Sequence, residues 1–371
     1  MSMKKIIIAP DSYKGTLSAR SVAEVIDRAI CDVCPECKTV LMPIADGGEG
    51  TIDALGADKI PVRVKGSQFE DVDSFYGALG DTAVIELAAC AGLPMAVRLE
   101  PETATTFGVG QLILAALDAG FRKFIVALGG SSTNDMGCGM AAALGVKFHN
   151  RGGRSFVPSG VSLAHIDRID ASGLDPRIAE CEFVTMCDID NPLCGPKGAS
   201  YVFSPQKGAR PDVVPVLDAA MKHCADIVKR DLGADVADIP GAGAAGGCGG
   251  GMVAFFNSKL RLGIDVVLDT KNFDRELEDA DLVFTGEGKF DAQSIDGKAI
   301  SGIASRTKAK NIPLIVLCGA AEESQECYDM GVTAVFSIQR KALSFKEAKL
   351  INEPSLYRTA YNVMKLLNIQ K

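Results

Sequence analysis

The sequence predicts an α/β protein with parallel sheets and a second, less regular domain. Three observations carry this. Short apolar strands alternate with helical patterns at both ends of the chain, as in parallel sheets covered by helices on both faces. Over about residues 60–110, and again over 151–210, strands follow one another through turns without a long helix between them. The 371 residues also exceed the roughly 150 expected of one domain.

Taken in order, residues 4–9 form an apolar strand, and Asp11 to Thr16 a polar turn. Val22, Val25, Ile26, Ala29 and Ile30 then recur at helical spacing, with Ser21 and Glu24 as a capping box. Residues 38–44 supply a second strand, followed by the turn Asp46 to Thr51 and a short helix. Val62 to Val64 and Ala83 to Leu87 read as strands. Phe124 to Leu128 is a strand that leads into the hydroxyl-rich turn Gly129 to Thr133, then Asn134, Asp135 and an Ala-rich helix near 136–144. Phe183 to Cys187 and Ser200 to Phe203 are expected as strands around the loop 188–198. An apolar helix through Val253 to Phe256 follows the glycine run. Asp281 to Thr285 is a strand with a turn over Gly286 to Asp291; Leu314 to Leu317 and Val332 to Ile338 are strands, and a helix at about 355–367 closes the chain. Parallel sheets bind ligands beyond the carboxyl ends of their strands, where these turns fall. One such Gly and Asp turn would be an ordinary turn former, but five carry acidic or amide side chains.

Composition excludes several classes. Hydrophobic residues at 47% and charged residues at 23% are unlike a disordered or fibrous chain. A net charge of −8 and an isoelectric point near 5.1 argue against nucleic-acid and membrane partners. The run Ile6 to Pro10 is too short for a signal-peptide core, and no stretch nears the ~18 apolar residues of a membrane span, so a cytoplasmic protein is expected. Its twelve cysteines are expected reduced, most as small core residues. Cys31, Cys34 and Cys37 have metal-like spacing but lack a fourth ligand. His149, His165 and His223 lie too far apart in the chain to suggest histidine-based hydrolysis.

Glycine is the outlier, at 39 residues against the ~7% of an average chain. It is densest from Gly241 to Gly251, where Gly241, Gly243 and Gly246 form G-x-G-x-x-G. Such glycines can let backbone amides approach phosphate at a helix start; they can equally serve close packing of small residues. Residues 235–240 make a poor strand, which weakens the dinucleotide-binding reading. There is no Walker A sequence and no protein-kinase catalytic loop. Phosphoryl transfer on another scaffold needs carboxylates for Mg²⁺ and for a base, and cations for the transferring charge. Asp11, Asp46, Glu49, Asp135, Asp188, Glu287 and Asp291 are candidates for the first, and Lys14, Lys207, Lys289 and Lys298 for the second.

Seven ordered segments are similar to those of type I glycerate kinases: Asp11-Ser-Tyr-Lys14-Gly-Thr-Leu-Ser-Ala19, Ala45-Asp-Gly-Gly-Glu-Gly-Thr51, Gly129-Gly-Ser-Ser-Thr-Asn-Asp135, Cys187-Asp-Ile-Asp-Asn-Pro-Leu193, Ser204-Pro-Gln-Lys-Gly-Ala209, Gly241-Ala-Gly-Ala-Ala-Gly-Gly247 and Thr285-Gly-Glu-Gly-Lys-Phe-Asp291. The resemblance covers almost the whole chain. It implies an ATP-dependent kinase acting on D-glycerate, generally at the 2-hydroxyl, to give 2-phosphoglycerate and ADP. It also implies a discontinuous Rossmann-like α/β domain over 1–62 and 280–371, a second α/β domain inserted over 63–279, and an active site in the cleft between them.

Within that resemblance, Gly241, Gly243, Gly246, Gly286 and Gly288 are expected at the ATP phosphates, and Asp46 or Asp188 at Mg²⁺. Lys14 is expected at the transferring phosphate. Lys207 is expected at the glycerate carboxylate, with Asp11 and Asn134 also at the substrate, and Asp188 or Asp291 as base. The chain departs from the family pattern at Met136, usually glycine, at Cys248, often aliphatic, at Lys289, usually Arg, and over Ser294 to Asp296. Two rival readings are a nicotinamide-dependent dehydrogenase using Gly241 to Gly246 with Asp265, which requires a strand before Gly241, and a non-enzymatic small-acid-binding protein.

Overall fold

Ile6, Ile7 and Ile8 are wholly buried in strand β1 (Lys5–Ile8), as in a strand covered on both faces. In the computed structural model, which describes residues 3–45, 47–291, 299–322, 324–341 and 345–368, the chain divides into two units. The first takes residues 1–46, 53–55 and 262–371, and the second 47–52 and 56–261.

Helix α1 (Ala19–Val33) buries Val22, Val25, Ile26, Ala29 and Ile30, the face its spacing predicts. Its cap differs from the Ser21/Glu24 box. Ser18 has the extended backbone of an N-cap, and its Oγ accepts from Ser21 N at 3.1 Å, while Glu24 is taken by Arg20 at 2.9 Å. Between α1 and strand β2 (Lys38–Leu41), Cys34 and Cys37 form a disulfide with Cα atoms 5.5 Å apart. This corrects the expectation of reduced thiols for these two; the other ten cysteines form no disulfide.

After α2 (Thr51–Leu55), the second unit runs through β3 (Asp58–Lys65), β4 (Asp71–Leu79), β5 (Thr82–Glu86), α3 (Ala88–Ala91), α4 (Phe107–Asp118), β6 (Lys123–Ala127) and α5 (Cys138–Ala143). It continues with β7 (Lys147–His149), β8 (Ser155–Phe156), β9 (Arg168–Asp170), β10 (Glu182–Met186), α6 (Ala199–Phe203), α7 (Val214–Leu232), α8 (Ala244–Phe256) and β11 (Lys259–Arg261). Its main sheet has the order β11-β10-β6-β5-β4-β3, parallel from β11 to β5 and antiparallel at β4 and β3; β8-β7-β9 form a small antiparallel sheet. Phe124 and Phe183 stack at 4.7 Å on neighbouring strands of its core. Residues 200–203 are helix, not the predicted strand. Tyr-Val-Phe carries β propensity, but Ala199 and Ser200 are both buried while Tyr201 and Val202 are both exposed, which a period of two cannot satisfy.

The first unit resumes with α9 (Gly263–Thr270), α10 (Phe273–Glu276), β12 (Leu282–Phe290), α11 (Ala299–Ala309), β13 (Leu314–Ala321), α12 (Gln325–Met330), β14 (Ala334–Ser337) and α13 (Phe345–Asn368). Helix α13 begins well before the predicted residue 355 and passes through Pro354. Its sheet, β14-β13-β12-β1-β2, is parallel throughout. Residues 286–290 prolong β12 and are not a turn. A Cβ on Gly286 would lie 2.0 Å from Leu317 O, so only glycine allows β12 and β13 to run on together here. The chain steps one way from β1 to β2 and the other way from β12 to β14, which makes β1/β12 a topological switch point. No helix among the described residues is long and apolar enough to cross a membrane.

Candidate active site

In the second unit, neighbouring β6 and β10 end at Ala127 and Met186, and the loops beyond them meet the glycine run. The Gly243 amide donates to Asn191 O at 3.0 Å, Met136 N donates to Gly246 O at 3.0 Å, and Gly129 N donates to Gly47 O at 3.0 Å. The segments containing Gly47, Gly129, Asp188 and Gly241 to Gly247 thus form one constellation. Asp188 itself is half-buried just past β10.

Ala245, Gly246 and Gly247 are consecutive left-handed residues. A Cβ on Gly246 would lie 2.1 Å from Thr133 O. Close backbone packing, the alternative role for these glycines, is therefore what Gly246 provides. Met136, where glycine is usual in the resembled family, also has left-handed φ of 54°. No strand leads directly into Gly241; helix α7 and turns do, which removes the ground for the dehydrogenase reading.

Lys207 ends a 3-10 turn (Pro205–Lys207) and points inward. Its Nζ donates to Thr133 O at 2.6 Å and to Ser131 Oγ at 3.1 Å, both neutral acceptors. Burial pulls its pKa down to about 8, against smaller opposing effects of Cys248 and Asp135. Asn134 is also wholly buried; its Nδ2 donates to Ser200 Oγ at 3.1 Å, and its Oδ1 has no hydrogen-bond partner among the described residues. Lys207 and Asn134, far apart in sequence, thus share one buried polar cluster with Ser131, Thr133 and Ser200. Sequence reasoning did not assign roles to Ser131 or Ser200. The hydroxyl-rich turn after β6 was a signal for Ser131, but Ser200 lay in a misread strand.

In the first unit, Asp11 and Lys14 follow β1 at the switch point. Asp11 N donates to Gly286 O at 2.8 Å, its Oδ1 accepts from Ser12 N at 2.6 Å, and Tyr13 OH donates to Leu317 O at 2.8 Å. Gly286 and Gly288 lie on β12 beside this turn; a Cβ on Gly288 would sit 3.6 Å from Lys14 N. Asp291, just beyond β12, pairs with Lys289 at 3.0 Å, and Lys289 also pairs with Glu322 at 3.0 Å. Asp46, Lys298 and the Ser294 to Asp296 segment lie outside the described residues.

Among the described residues no three His, Cys, Asp or Glu side chains gather as a metal cage. Mg²⁺ in phosphoryl-transfer sites needs only one or two protein carboxylates beside the substrate phosphates, and the hard oxygens of Asp188 suit that mode.

The family model described as the glycerate kinase family matches residues 6–368. A glycerate kinase of Bacillus cereus is 44% identical over 98% of each chain, and a glycerate 2-kinase of Escherichia coli K12 is 40% identical over 98% of each. A crystal structure of a protein from Salmonella typhimurium LT2, named as a glycerate kinase 2, is 40% identical with a TM-score of 0.90 over 99% of both chains. With the glycine-packed loops beyond β6 and β10 and this match over almost its full length, the chain belongs to the glycerate kinase family.

Proposed function

We propose that this protein transfers the γ-phosphoryl group of ATP to the 2-hydroxyl of D-glycerate, giving 2-phosphoglycerate and ADP. The family and the name of the E. coli relative support the reaction and the position. The observation that carries the substrate is Lys207: a fully buried ammonium held by neutral acceptors suits an anionic ligand. The glycerate carboxylate is assigned to it, with Asn134 and Asp11 at the substrate hydroxyls. Asp188 or Asp291 accepts the proton of the attacking hydroxyl, and Lys14 meets the transferring phosphate. The 241–247 loop, apart from the Gly243 and Gly247 amides that bond Asn191 O and Gly243 O, and the 286–288 strand are assigned to the nucleotide phosphates. Asp46 or Asp188 would hold the Mg²⁺ that arrives with ATP, which would offset phosphate charge.

A coupled ADP-release assay over D-glycerate and related hydroxy acids tests the reading, and phosphorus NMR of the product tests the position. ADP release only with D-glycerate, and a 2-phospho product, is the expected result. Glycerate binding without ADP release would instead support a binding protein, and a 3-phospho product would overturn the assigned position.

A further inference from the structure

Asp135 takes no part in the chemistry assigned above, yet its carboxylate is wholly buried and accepts from two directions. From the start of α4, Thr106 donates through its amide at 2.7 Å and its hydroxyl at 2.8 Å, and Thr105 through its hydroxyl at 3.3 Å. From the start of α5 come the amides of Gly137 at 3.1 Å and Gly139 at 3.2 Å. Burying a carboxylate with no cation in contact is costly, and Ser or Thr caps helices without that cost.

The Ser131–Thr133 turn runs through Asn134 into Asp135, so these bonds tie the end of that turn to the starts of α4 and α5. Thr133 O and Ser131 Oγ of that turn are the two acceptors that hold Lys207. Two titratable groups exert a field on the ammonium, Asp135 itself and the Cys248 thiol on α8; burial pushes that thiol well up, which leaves it neutral. Burial raises the Asp135 pKa as well, but the Thr106, Gly137 and Gly139 hydrogen bonds oppose that rise and hold the carboxylate, so Asp135 is the acid of the two that can carry a negative charge in this core.

We propose that Asp135 is a positioning residue for glycerate binding: it fixes the Ser131–Thr133 turn around Lys207 and balances the ammonium until a substrate carboxylate arrives. The proposal rests on the reading of Lys207 as the carboxylate-binding cation. Without the Asp135 charge the buried ammonium loses its proton more readily, so Lys207 is neutral over more of the alkaline range.

The test has two arms on the full-length enzyme. In the first, D-glycerate is titrated into the wild type at pH 8 in buffers of different ionisation enthalpy, which reads protons taken up per ligand bound. Uptake is expected; none would overturn the Lys207 reading and this proposal with it. In the second, kcat/KM for glycerate is followed against pH for Asp135→Asn. Its alkaline limb is expected about one pH unit below that of the wild type, with KM for ATP unchanged. Proton uptake by the wild type together with an unmoved limb in Asp135→Asn, even with a lowered Tm, would make Asp135 a helix cap only and overturn this proposal alone. Should Asp135→Asn fail to fold, Thr106→Val decides, since it keeps the charge and removes one hydroxyl anchor. A several-fold higher KM for glycerate with an unmoved limb is expected, and an unchanged KM overturns the proposal.

Discussion

Lys207 holds a charge where burial disfavours it. Its folded value of about 8 lies below the 10.5 of the free side chain, so between those pH values the unfolded chain binds more protons and stability rises with pH. Below pH 8 the buried charge costs on the order of 3 kcal/mol, at least as much as the ~1–3 kcal/mol of leaving the Thr133 carbonyl without its donor. Lys207→Met is therefore expected to melt at or above the wild-type temperature at pH 7 and to lose glycerate binding; a variant that unfolds would show Lys207 to be a structural strut. The same sign gives a pH profile. Apparent affinity for glycerate, read as kcat/KM, should be flat below pH 8 and fall about tenfold per unit above it. Asp188→Asn or Asp291→Asn should lower turnover by orders of magnitude with the fold intact, and near-normal turnover in both would remove the base assignment. At this scale the chemical types were legible from the letters, because Lys207 and Asn134 stand in recognisable segments. Their shared burial with Ser200 was not, since it is made by segments about 70 residues apart.

The element that shows most about glycine is the left-handed entry to α8. Gly246 combines φ of +68° with a Cβ position 2.1 Å from Thr133 O, whereas a Cβ on Gly250 would meet nothing nearer than 3.5 Å. Gly246→Ala is expected to lose more than ~2 kcal/mol and several degrees of Tm, because left-handed strain and a backbone clash add. Gly250→Ala, inside the helix, is expected to be neutral or to gain up to ~1 kcal/mol. Thermal melts of the pair check this contrast, and equal losses would show that the run as a whole, and not the Gly246 contact, sets the requirement. Spacing alone places both residues in one glycine-rich segment. It cannot separate them, because the difference lies in the carbonyl of a loop more than 100 residues away.

At the scale of the molecule, each unit has its own buried core, one around Ile6, Phe284 and Leu356 and one around Val109, Phe124 and Phe255. Residues 47–261 are contiguous and include the second core, so this fragment is expected to melt cooperatively on its own and to release no ADP; a non-cooperative melt would show that its core needs the rest of the chain. What the sequence by itself determined is the alternation of strands and helices, the α/β class, and the chemical kinds of the turn residues, since periodicity and turn chemistry are local. The tertiary structure decided which strand ends neighbour one another, that residues 286–290 extend a strand, that Ser18 caps α1, and that Asp135 is buried against the starts of α4 and α5 while Lys207 bonds the turn just before it. Those outcomes depend on how closely backbones from distant segments approach, and on how much water that approach excludes, and neither quantity is written in residue spacing.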